Sequence, residues 1–145
     1  MKPKFGLGVF VCLFNQDISK IMLIKRNLEK RKKWGADWGN IGGKIELKES
    51  SIQACLREAK EEIGLILRPK QLKLLQVKES PCFTPKIHAV HFAYGAVISE
   101  KAKIILNDES EEYRWFDLEK IPKKTLDSKK ELLRFARLMR KQKSR

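Results

Sequence analysis

The amino-acid sequence predicts one domain of the mixed α/β class. Its 145 residues are 42% hydrophobic, which is enough to bury one sizeable core but too short a chain for two ordinary domains. Apolar, β-prone runs occur along most of the chain. Two further segments carry apolar residues every three or four positions, the spacing of an amphipathic helix. We therefore treat residues 1–145 as a single domain that contains both strands and helices.

The first predicted elements are two strands of a hairpin. An apolar, β-prone run extends over residues 5–14, and Asn15, Gln16 and Asp17 then offer turn chemistry. A second apolar run follows at residues 21–24. Residues 27–40 are basic and contain two tryptophans, so we interpret them as a loop. The paired glycines at 42 and 43 then indicate a tight backbone turn.

The best-specified element is a helix over residues 50–63. Ser50 and Gln53 have the capping-box spacing, and Gly64 supplies a left-handed stop. The apolar positions fall on one predicted helix face, and they are Ile52, Cys55, Leu56, Ala59 and Ile63. This periodicity predicts that Cys55 packs in the core.

The second half of the chain predicts three strands and one helix. Strands are expected at residues 72–77 and 88–98, separated by a loop that contains Pro81 and Pro85, and a short strand is expected at 113–116. Ser128 and Glu131 form a second capping-box pattern. The apolar stripe of this last helix consists of Leu132, Phe135, Ala136 and Met139. Residues 141–145 are expected to form a loose basic tail.

Charge and cysteine content narrow the class of protein. The formal net charge of +14 favours a polyanionic partner such as a nucleotide, a nucleic acid or an anionic membrane, although scattered solubilising lysines explain it equally well. The three cysteines are widely spaced and include no CxxC pair, so neither a disulfide framework nor a zinc site is indicated. The apolar run at 5–14 is far short of a membrane span. We expect a soluble cytoplasmic protein without a membrane partner.

Three carboxylates form the most informative cluster. Glu58, Glu61 and Glu62 are three and four residues apart, so they are expected on one side of the predicted helix, away from its apolar stripe. Like charges at this spacing destabilise a helix, and a hard divalent cation such as Mg²⁺ would compensate them. Arg57 is placed to pair with Glu49 or Glu61. The alternative is a solvated acidic face with ordinary salt bridges.

The residues around this cluster resemble the Nudix box. Gly43 is followed by five residues, Glu49, seven residues and then Arg57-Glu58-Ala59-Lys60-Glu61-Glu62-Ile63-Gly64-Leu65, which matches the box at each fixed position over residues 43–65. The stretch from Gly42 to Glu46 resembles the MutT branch of that family, although Asn40-Ile41 stands where Phe-Pro is usual. The resemblance implies the Nudix fold, in which a mixed β-sheet lies between helices and the box forms a loop, a helix and a loop.

The resemblance also implies roles for individual residues. The metal ligands would be Glu58, Glu61, Glu62 and the backbone carbonyl of Gly42, holding Mg²⁺ or alternatively Mn²⁺. Glu49 and Arg57 would support them. The general base would be either Glu61 or Glu109, the latter lying in an acidic loop at residues 108–112. The alternative for Glu109 is an ordinary solvated acidic residue.

Substrate contacts are expected from four further residues. Lys25 and Arg26 end the second strand, where the resemblance places them near a phosphate; the alternative is a pair of exposed strand-end cations. Trp34 and Trp38 offer aromatic faces on which a nucleobase can stack. One of the two tryptophans is equally suited to anchoring its loop on the core.

The leading functional hypothesis is a Mg²⁺-dependent pyrophosphohydrolase. It would convert a nucleoside or deoxynucleoside triphosphate, including an oxidised or otherwise non-standard one, to the monophosphate and pyrophosphate. A second hypothesis is hydrolysis of ADP-ribose or another nucleotide sugar, because Pro81 lies sixteen residues after Leu65. The charge also permits an RNA 5′-end pyrophosphohydrolase or a non-catalytic nucleic-acid-binding module. Both a monomer and a homodimer are compatible with the sequence.

Overall fold

A computed structural model describes residues 2–143 of the chain as seven strands and three α-helices. Short 3₁₀ turns at Pro69–Gln71 and Leu118–Lys120 join some of these elements. The elements in chain order are β1 (Lys4–Phe14), β2 (Lys20–Arg26), α1 (Leu28–Trp34), β3 (Trp38–Gly39), β4 (Ile41–Lys44), α2 (Ser51–Ile63), β5 (Lys73–Thr84), β6 (Ile87–Val97), β7 (Ser110–Asp117) and α3 (Lys129–Lys143).

The strands form one mixed sheet. Its main path runs in the order β3-β2-β1-β6-β5, while β4 pairs with β1 and β7 pairs with β2. The β1–β6 pair is parallel, and the other named pairs are antiparallel. This arrangement confirms the predicted mixed α/β class.

Helices cover both faces of the sheet. Alternate residues of β1 point to opposite faces, so Val9, Val11 and Leu13 pack in the hydrophobic cluster that contains Cys55, Ala59 and Ile63 of α2. Cys12 and Phe14 point the other way, into the cluster that contains the α3 stripe, Leu132, Phe135, Ala136 and Met139. The sheet therefore lies between helices, as the resemblance implied.

Local signals at both ends of α2 confirm its predicted bounds. The Ser50 hydroxyl accepts from the Gln53 N–H at 3.1 Å, and the Gln53 side chain accepts from the Ser50 N–H at 2.8 Å. Gly64 adopts φ of 64°, a left-handed conformation that glycine reaches without strain. Cys55 is fully buried, as its place on the apolar stripe predicted.

Residues 27–40 are not simply a loop, and that prediction was wrong. They contain α1 and β3. Asn27 caps α1 by accepting from the Lys30 N–H at 2.9 Å, and Gly35 ends it with φ of 69°. The seven-residue helix has no buried residue, so it lacked the apolar stripe that would have predicted it.

Three boundary predictions in the second half of the chain were also wrong. Strand β7 begins at Ser110, so residues 110–112 of the predicted acidic loop belong to that strand. Strand β5 continues through Pro81 to Thr84, so only residues 85–86 separate it from β6. Proline is tolerated there because β5 is an edge strand. Helix α3 continues through Lys143, so residues 141–143 are helical rather than part of a loose tail, and residues 144–145 lie outside the described residues. Within residues 2–143, no helix is both long and apolar enough to cross a membrane.

Candidate active site

Two adjacent glycines let strand β4 approach both β1 and helix α2. Gly42 pairs with Phe10 of β1, and a Cβ atom at Gly42 would overlap the Val9 carbonyl oxygen. A Cβ atom at Gly43 would overlap Glu58 Oε1. Gly42 therefore allows β4 to pack against β1, and Gly43 leaves the space in which the Glu58 carboxylate lies.

Glu62 is the most deeply buried carboxylate of the site, with 3% of its surface exposed. Its Oε2 accepts from Arg26 Nη1 at 3.0 Å, and its Oε1 accepts from the Gly42 N–H at 3.4 Å. Burial raises the pKa of Glu62 to about 8; Arg26 opposes this rise, and the neighbouring Glu58 adds to it. The Glu58 and Glu62 carboxyl groups thus lie side by side, with Arg26 bound to Glu62.

Arg57 connects the other acidic residues of the box. Its Nε donates to Glu49 Oε2 at 2.7 Å and its Nη2 to Glu49 Oε1 at 2.9 Å, a two-pronged contact. Nη1 donates to Glu58 Oε1 at 2.7 Å and to Glu61 Oε2 at 3.3 Å. Arg57 lowers the pKa of Glu49 to about 2. The predicted pairing of Arg57 with Glu49 or Glu61 is confirmed, because both pairs form.

The three helix carboxylates cluster as their spacing predicted, but they differ in exposure. The Glu61 side chain is 56% exposed, whereas the side chains of Glu58 and Glu62 are 12% and 4% exposed. Helix α2 packs with its Glu62 side against β2 and β4, where Arg26 supplies a counter-charge. The site therefore has a buried floor and a more exposed rim.

The donor set fits a hard divalent cation. Among residues 2–143, no three His, Cys, Asp or Glu side chains already converge as a complete metal site. However, Glu58 and Glu62 place two carboxyl groups side by side with little access to water, and Gly43 leaves the space beside them free of a Cβ atom. Carboxylate and carbonyl oxygens are the ligands that Mg²⁺ prefers.

Asn107, which sequence reasoning missed, fastens the acidic loop to the end of α2. Its N–H donates to the Glu62 carbonyl at 3.2 Å, and its Nδ2 donates to the Glu61 carbonyl at 3.1 Å. The Glu109 N–H donates to Asn107 Oδ1 at 3.0 Å, and the Glu109 carbonyl accepts from the Asn27 N–H at 2.8 Å. The Glu109 backbone is therefore fixed beside α2. Turn chemistry at Asn107 was the only local signal.

The two predicted phosphate contacts differ in their surroundings. Arg26 binds Glu62, and its Nη2 donates to the Asn40 carbonyl at 3.1 Å. Lys25 is half-buried and lies in β2 between Trp38 of β3 and Glu112 of β7 in strand register. The Arg26 guanidinium therefore already binds groups within the protein. That Lys25 and Arg26 contact a substrate phosphate stays a prediction.

The two predicted stacking tryptophans lie in unlike environments. Trp38 packs edge-on against Phe116, with ring centroids 4.9 Å apart, in the hydrophobic cluster beneath α3. The Arg114 guanidinium lies 5.5 Å from the Trp38 ring centroid. Trp34 is 46% exposed at the end of α1. Trp38 is thus the tryptophan that anchors its segment on the core.

Asn40 is a second polar residue that sequence reasoning missed. It is 6% exposed, and its Nδ2 donates to Asp127 Oδ2 at 3.0 Å. Asn40 Oδ1 is buried without a hydrogen-bond partner. Burial raises the pKa of Asp127, and the Asn40 contact opposes that rise. Because Asn40 and Asp127 are 87 residues apart in the chain, no local sequence pattern predicts their contact.

Comparison with curated proteins finds relatives that hydrolyse phosphate-containing compounds. The chain is 36% identical over 113 residues to an "ADP-ribose pyrophosphatase" of Methanocaldococcus jannaschii, covering 77% of this chain and 63% of that protein. It is 28% identical over 115 residues to an "mRNA-decapping enzyme subunit 2" of Saccharomyces cerevisiae, covering 77% of this chain and 11% of that protein. The chain therefore spans less than two thirds of the length of these relatives. A "dihydroneopterin triphosphate diphosphatase" of Escherichia coli is 23% identical over 79% of each chain.

Comparison with solved structures supports the same fold. A MutT NUDIX hydrolase from Burkholderia pseudomallei superposes with a TM-score of 0.72 at 26% identity, covering 90% of this chain and 96% of that one. A MutT protein from Methanosarcina mazei has a TM-score of 0.67 at 21% identity over 98% and 97% of the two chains. The family model described as NUDIX domain matches residues 4–135. The chain therefore belongs to the NUDIX domain family.

Proposed function

We propose that this protein is a divalent-cation-dependent nucleoside triphosphate pyrophosphohydrolase. Water would attack a nucleoside or deoxynucleoside triphosphate at a phosphoanhydride bond and release the nucleoside monophosphate and pyrophosphate. Oxidised or otherwise non-standard nucleotides fall within this substrate class.

The observation that carries the proposal is the buried Glu62 carboxyl beside Glu58. Two carboxyl groups removed from water are unfavourable unless cations or proton sharing compensate them. Arg26 lies 3.0 Å from Glu62, and Arg57 lies 2.7 Å from Glu58 but is shared with Glu49 and Glu61. A purely anion-binding protein would gain nothing from this pair, whereas an enzyme that must bring a divalent cation to a polyphosphate would.

Four groups would hold the cation in this proposal, and they are the carboxylates of Glu58, Glu61 and Glu62 and the carbonyl of Gly42. When bound, Mg²⁺ or Mn²⁺ neutralises phosphate charge and lowers the pKa of a coordinated water. The exposed Glu61 must turn away from Arg57 to take part, since its Oε2 is 3.3 Å from Arg57 Nη1.

The remaining box residues would position these groups rather than touch the reacting atoms. Arg57 binds Glu49 through two nitrogens and thereby fixes the guanidinium that contacts Glu58. Either Glu61 or Glu109 would accept the proton of the attacking water. Lys25 and Arg26 are proposed as phosphate contacts at the adjoining end of β2.

Hydrolysis of ADP-ribose remains the alternative activity. It is favoured by the 36% identity to the Methanocaldococcus jannaschii protein named as an ADP-ribose pyrophosphatase. The position of Pro81 supports ADP-ribose hydrolysis only weakly, because Pro81 lies within edge strand β5 and not in a loop between strands. The Escherichia coli relative, named as a dihydroneopterin triphosphate diphosphatase, favours hydrolysis of a triphosphate.

A substrate panel tests the proposal. The protein is incubated with the common nucleoside and deoxynucleoside triphosphates, 8-oxo-dGTP and ADP-ribose, each with Mg²⁺, with Mn²⁺ and with excess chelator. We expect pyrophosphate and a nucleoside monophosphate from at least one triphosphate, and no turnover in chelator. AMP and ribose 5-phosphate from ADP-ribose alone would favour the alternative. Hydrolysis of no compound by the wild-type protein would favour a non-catalytic binding module.

A further inference from the structure

Helix α1 carries large apolar side chains that the core does not use. Trp34 and Leu28 are 46% and 56% exposed, and neither belongs to the two hydrophobic clusters of the described residues. A single exposed apolar side chain is ordinary in a soluble protein. An exposed indole set among cations is more specific, because it offers both stacking area and charge.

The cations beside this tryptophan are available for an external partner. Across the described part of the chain, Lys30, Lys32 and Lys33 form no ion pair, whereas Arg31 pairs with Glu111 at 3.3 Å. Lys33 Nζ lies 5.3 Å from the Trp34 ring centroid. The Lys124 carbonyl accepts from the backbone N–H groups of residues 37 and 38, which brings another lysine-containing segment beside the end of α1.

Polar contacts fix the start of α1 next to the box. Asn27 Nδ2 donates to the Asp108 carbonyl at 3.1 Å, and Asn27 Oδ1 caps the helix. Arg26, the preceding residue, binds Glu62. Seven helical residues then extend about 10 Å, so Trp34 lies at the far end of a fixed arm that begins at the candidate active site.

We propose that this α1 surface, comprising Lys30, Lys33 and Trp34, binds single-stranded nucleic acid. An unpaired base stacks on the Trp34 indole, and the two lysines contact neighbouring phosphates of the same strand. A duplex keeps its bases stacked on one another, so it presents no base face to Trp34. The ligand is therefore a single strand rather than a duplex.

A membrane surface fits α1 less well. Leu28 and Trp34 are six residues apart, which places them about 120° apart around the helix axis. They consequently do not form the continuous apolar face with which an amphipathic helix enters a bilayer.

The other strongly basic element, α3, supplies charge without stacking area. Its single aromatic residue, Phe135, is fully buried. Arg134 and Arg140 are bound to Gln76 and to the Ile18 carbonyl. Exposed Lys130 and Arg137 on this helix therefore provide a charge-matched control for the α1 lysines.

Fluorescence anisotropy of a 12-nucleotide oligothymidylate tests the proposal. The oligonucleotide carries a 3′ fluorophore and a 5′ hydroxyl, and chelator is present, so no hydrolysis of a polyphosphate is involved. We expect Trp34→Ala to weaken binding by about tenfold, and Trp34→Phe to retain most of the affinity. Lys30→Ala/Lys33→Ala should lower the slope of log K against log salt by about 1.4, because each phosphate contact on a single strand contributes roughly 0.7.

A control variant in α3 and two other ligands, a duplex and a lipid vesicle, test whether binding is specific to α1 and to single strands. Lys130→Ala/Arg137→Ala removes the same charge from α3 and should leave the salt slope near that of wild type. The proposal fails if Trp34→Ala binds normally, if the α3 pair loses as much as the α1 pair, or if a duplex binds as tightly as the single strand. Binding to phosphatidylserine vesicles without binding to the oligonucleotide would assign α1 to membranes instead. Circular dichroism melts of each variant verify that the fold is retained.

Discussion

Arg26 Nη1 lies 3.0 Å from Glu62 Oε2 and joins strand β2 to helix α2 beneath the candidate active site. The two side chains are 19% and 4% exposed, so the pair is largely removed from water. Loss of one partner from such a pair leaves a buried charge uncompensated, which typically costs about 3–5 kcal/mol. Stability and site geometry therefore depend on the same contact.

This contact predicts non-additive losses of stability. In chelator and at about pH 9, above the pKa of about 8 that burial gives Glu62, Arg26→Met should lower the free energy of unfolding by about 3 kcal/mol, because it leaves the ionised carboxylate without its counter-charge. Arg26→Met/Glu62→Gln should lose clearly less than the sum of the two single variants. Urea denaturation measures the free energy of unfolding of the wild type, of Arg26→Met, of Glu62→Gln and of the double variant. Lys129→Met, which breaks an exposed pair with Glu119 at 3.9 Å, should change stability by about 1 kcal/mol or less. Strict additivity at Arg26 and Glu62 would show that they do not interact.

The proposed metal ligands predict a catalytic loss at Glu62. Glu62→Gln keeps the size and polarity of the side chain but removes its charge, so we expect kcat to fall by about 10²-fold or more. The protein should remain folded by circular dichroism. Glu119→Gln, at an exposed carboxylate outside the box, is the matched control and should retain wild-type kcat. An effect of Glu62→Gln confined to KM would contradict a role in the chemical step.

The two β4 glycines predict a steric effect on Glu58. Gly43→Ala places a methyl group where Glu58 Oε1 now lies, so we expect the carboxylate to move and kcat to drop at least tenfold. Gly39→Ala is the control, because its Cβ would meet Leu126 Cβ at an ordinary 3.6 Å. Steady-state kinetics with Mg²⁺ titration compares the two. Wild-type kinetics for Gly43→Ala would show that the Glu58 position is unimportant.

The buried Cys55 thiol, on the core side of α2, is predicted to affect stability and not catalysis. Cys55 is fully buried, and burial raises the pKa of its thiol to about 12. Cys55→Ser buries a hydroxyl in its place and should lower the free energy of unfolding by roughly 1 kcal/mol or more. Activity at a temperature below the unfolding transition should be unaffected. Cys82→Ser, at an exposed cysteine, should be neutral in stability. An inactive but fully stable Cys55→Ser protein would be inconsistent with this packing.

Elements with complete local signals were predicted well from the sequence. Helix α2 has a capping box, an apolar stripe and a glycine stop, and each is formed by residues close together in the chain. Helix α1 has a cap at Asn27 and a stop at Gly35, but its seven residues bury nothing. A short basic helix without a buried face gives no periodic signal, which is why the segment was interpreted as a loop.

Contacts between distant parts of the chain could not be predicted. Asn107 meets the Glu61 carbonyl across 46 residues, and Asn40 meets Asp127 across 87. Spacing on α2 indicated that Glu58, Glu61 and Glu62 cluster, but not that Glu62 is buried. Its burial depends on Arg26 in β2 and on the close approach of Gly42, which only the packed sheet brings together.

The two candidate bases differ in how the structure holds them. The Glu61 side chain is on a rigid helix but is 56% exposed and bonded to Arg57. The backbone of Glu109 is fixed by hydrogen bonds to Asn107 and Asn27, whereas an ordinary acidic surface loop needs no such anchors. We favour Glu61, because helix α2 fixes the position of its backbone in the box.

Paired substitutions with metal titration distinguish the two bases. If Glu61 accepts the proton, Glu61→Gln should lower kcat by about 10²-fold even at saturating Mg²⁺, whereas Glu109→Gln should leave kcat within a few-fold of wild type. Titration is necessary because a carboxylate that only holds the cation loses metal affinity, and its kcat recovers when Mg²⁺ is raised. Glu111→Gln, in the adjoining strand β7, is the control for loss of a nearby negative charge. Near-normal kcat for Glu61→Gln at saturating Mg²⁺, together with a 10²-fold loss for Glu109→Gln, would assign the base to Glu109 instead.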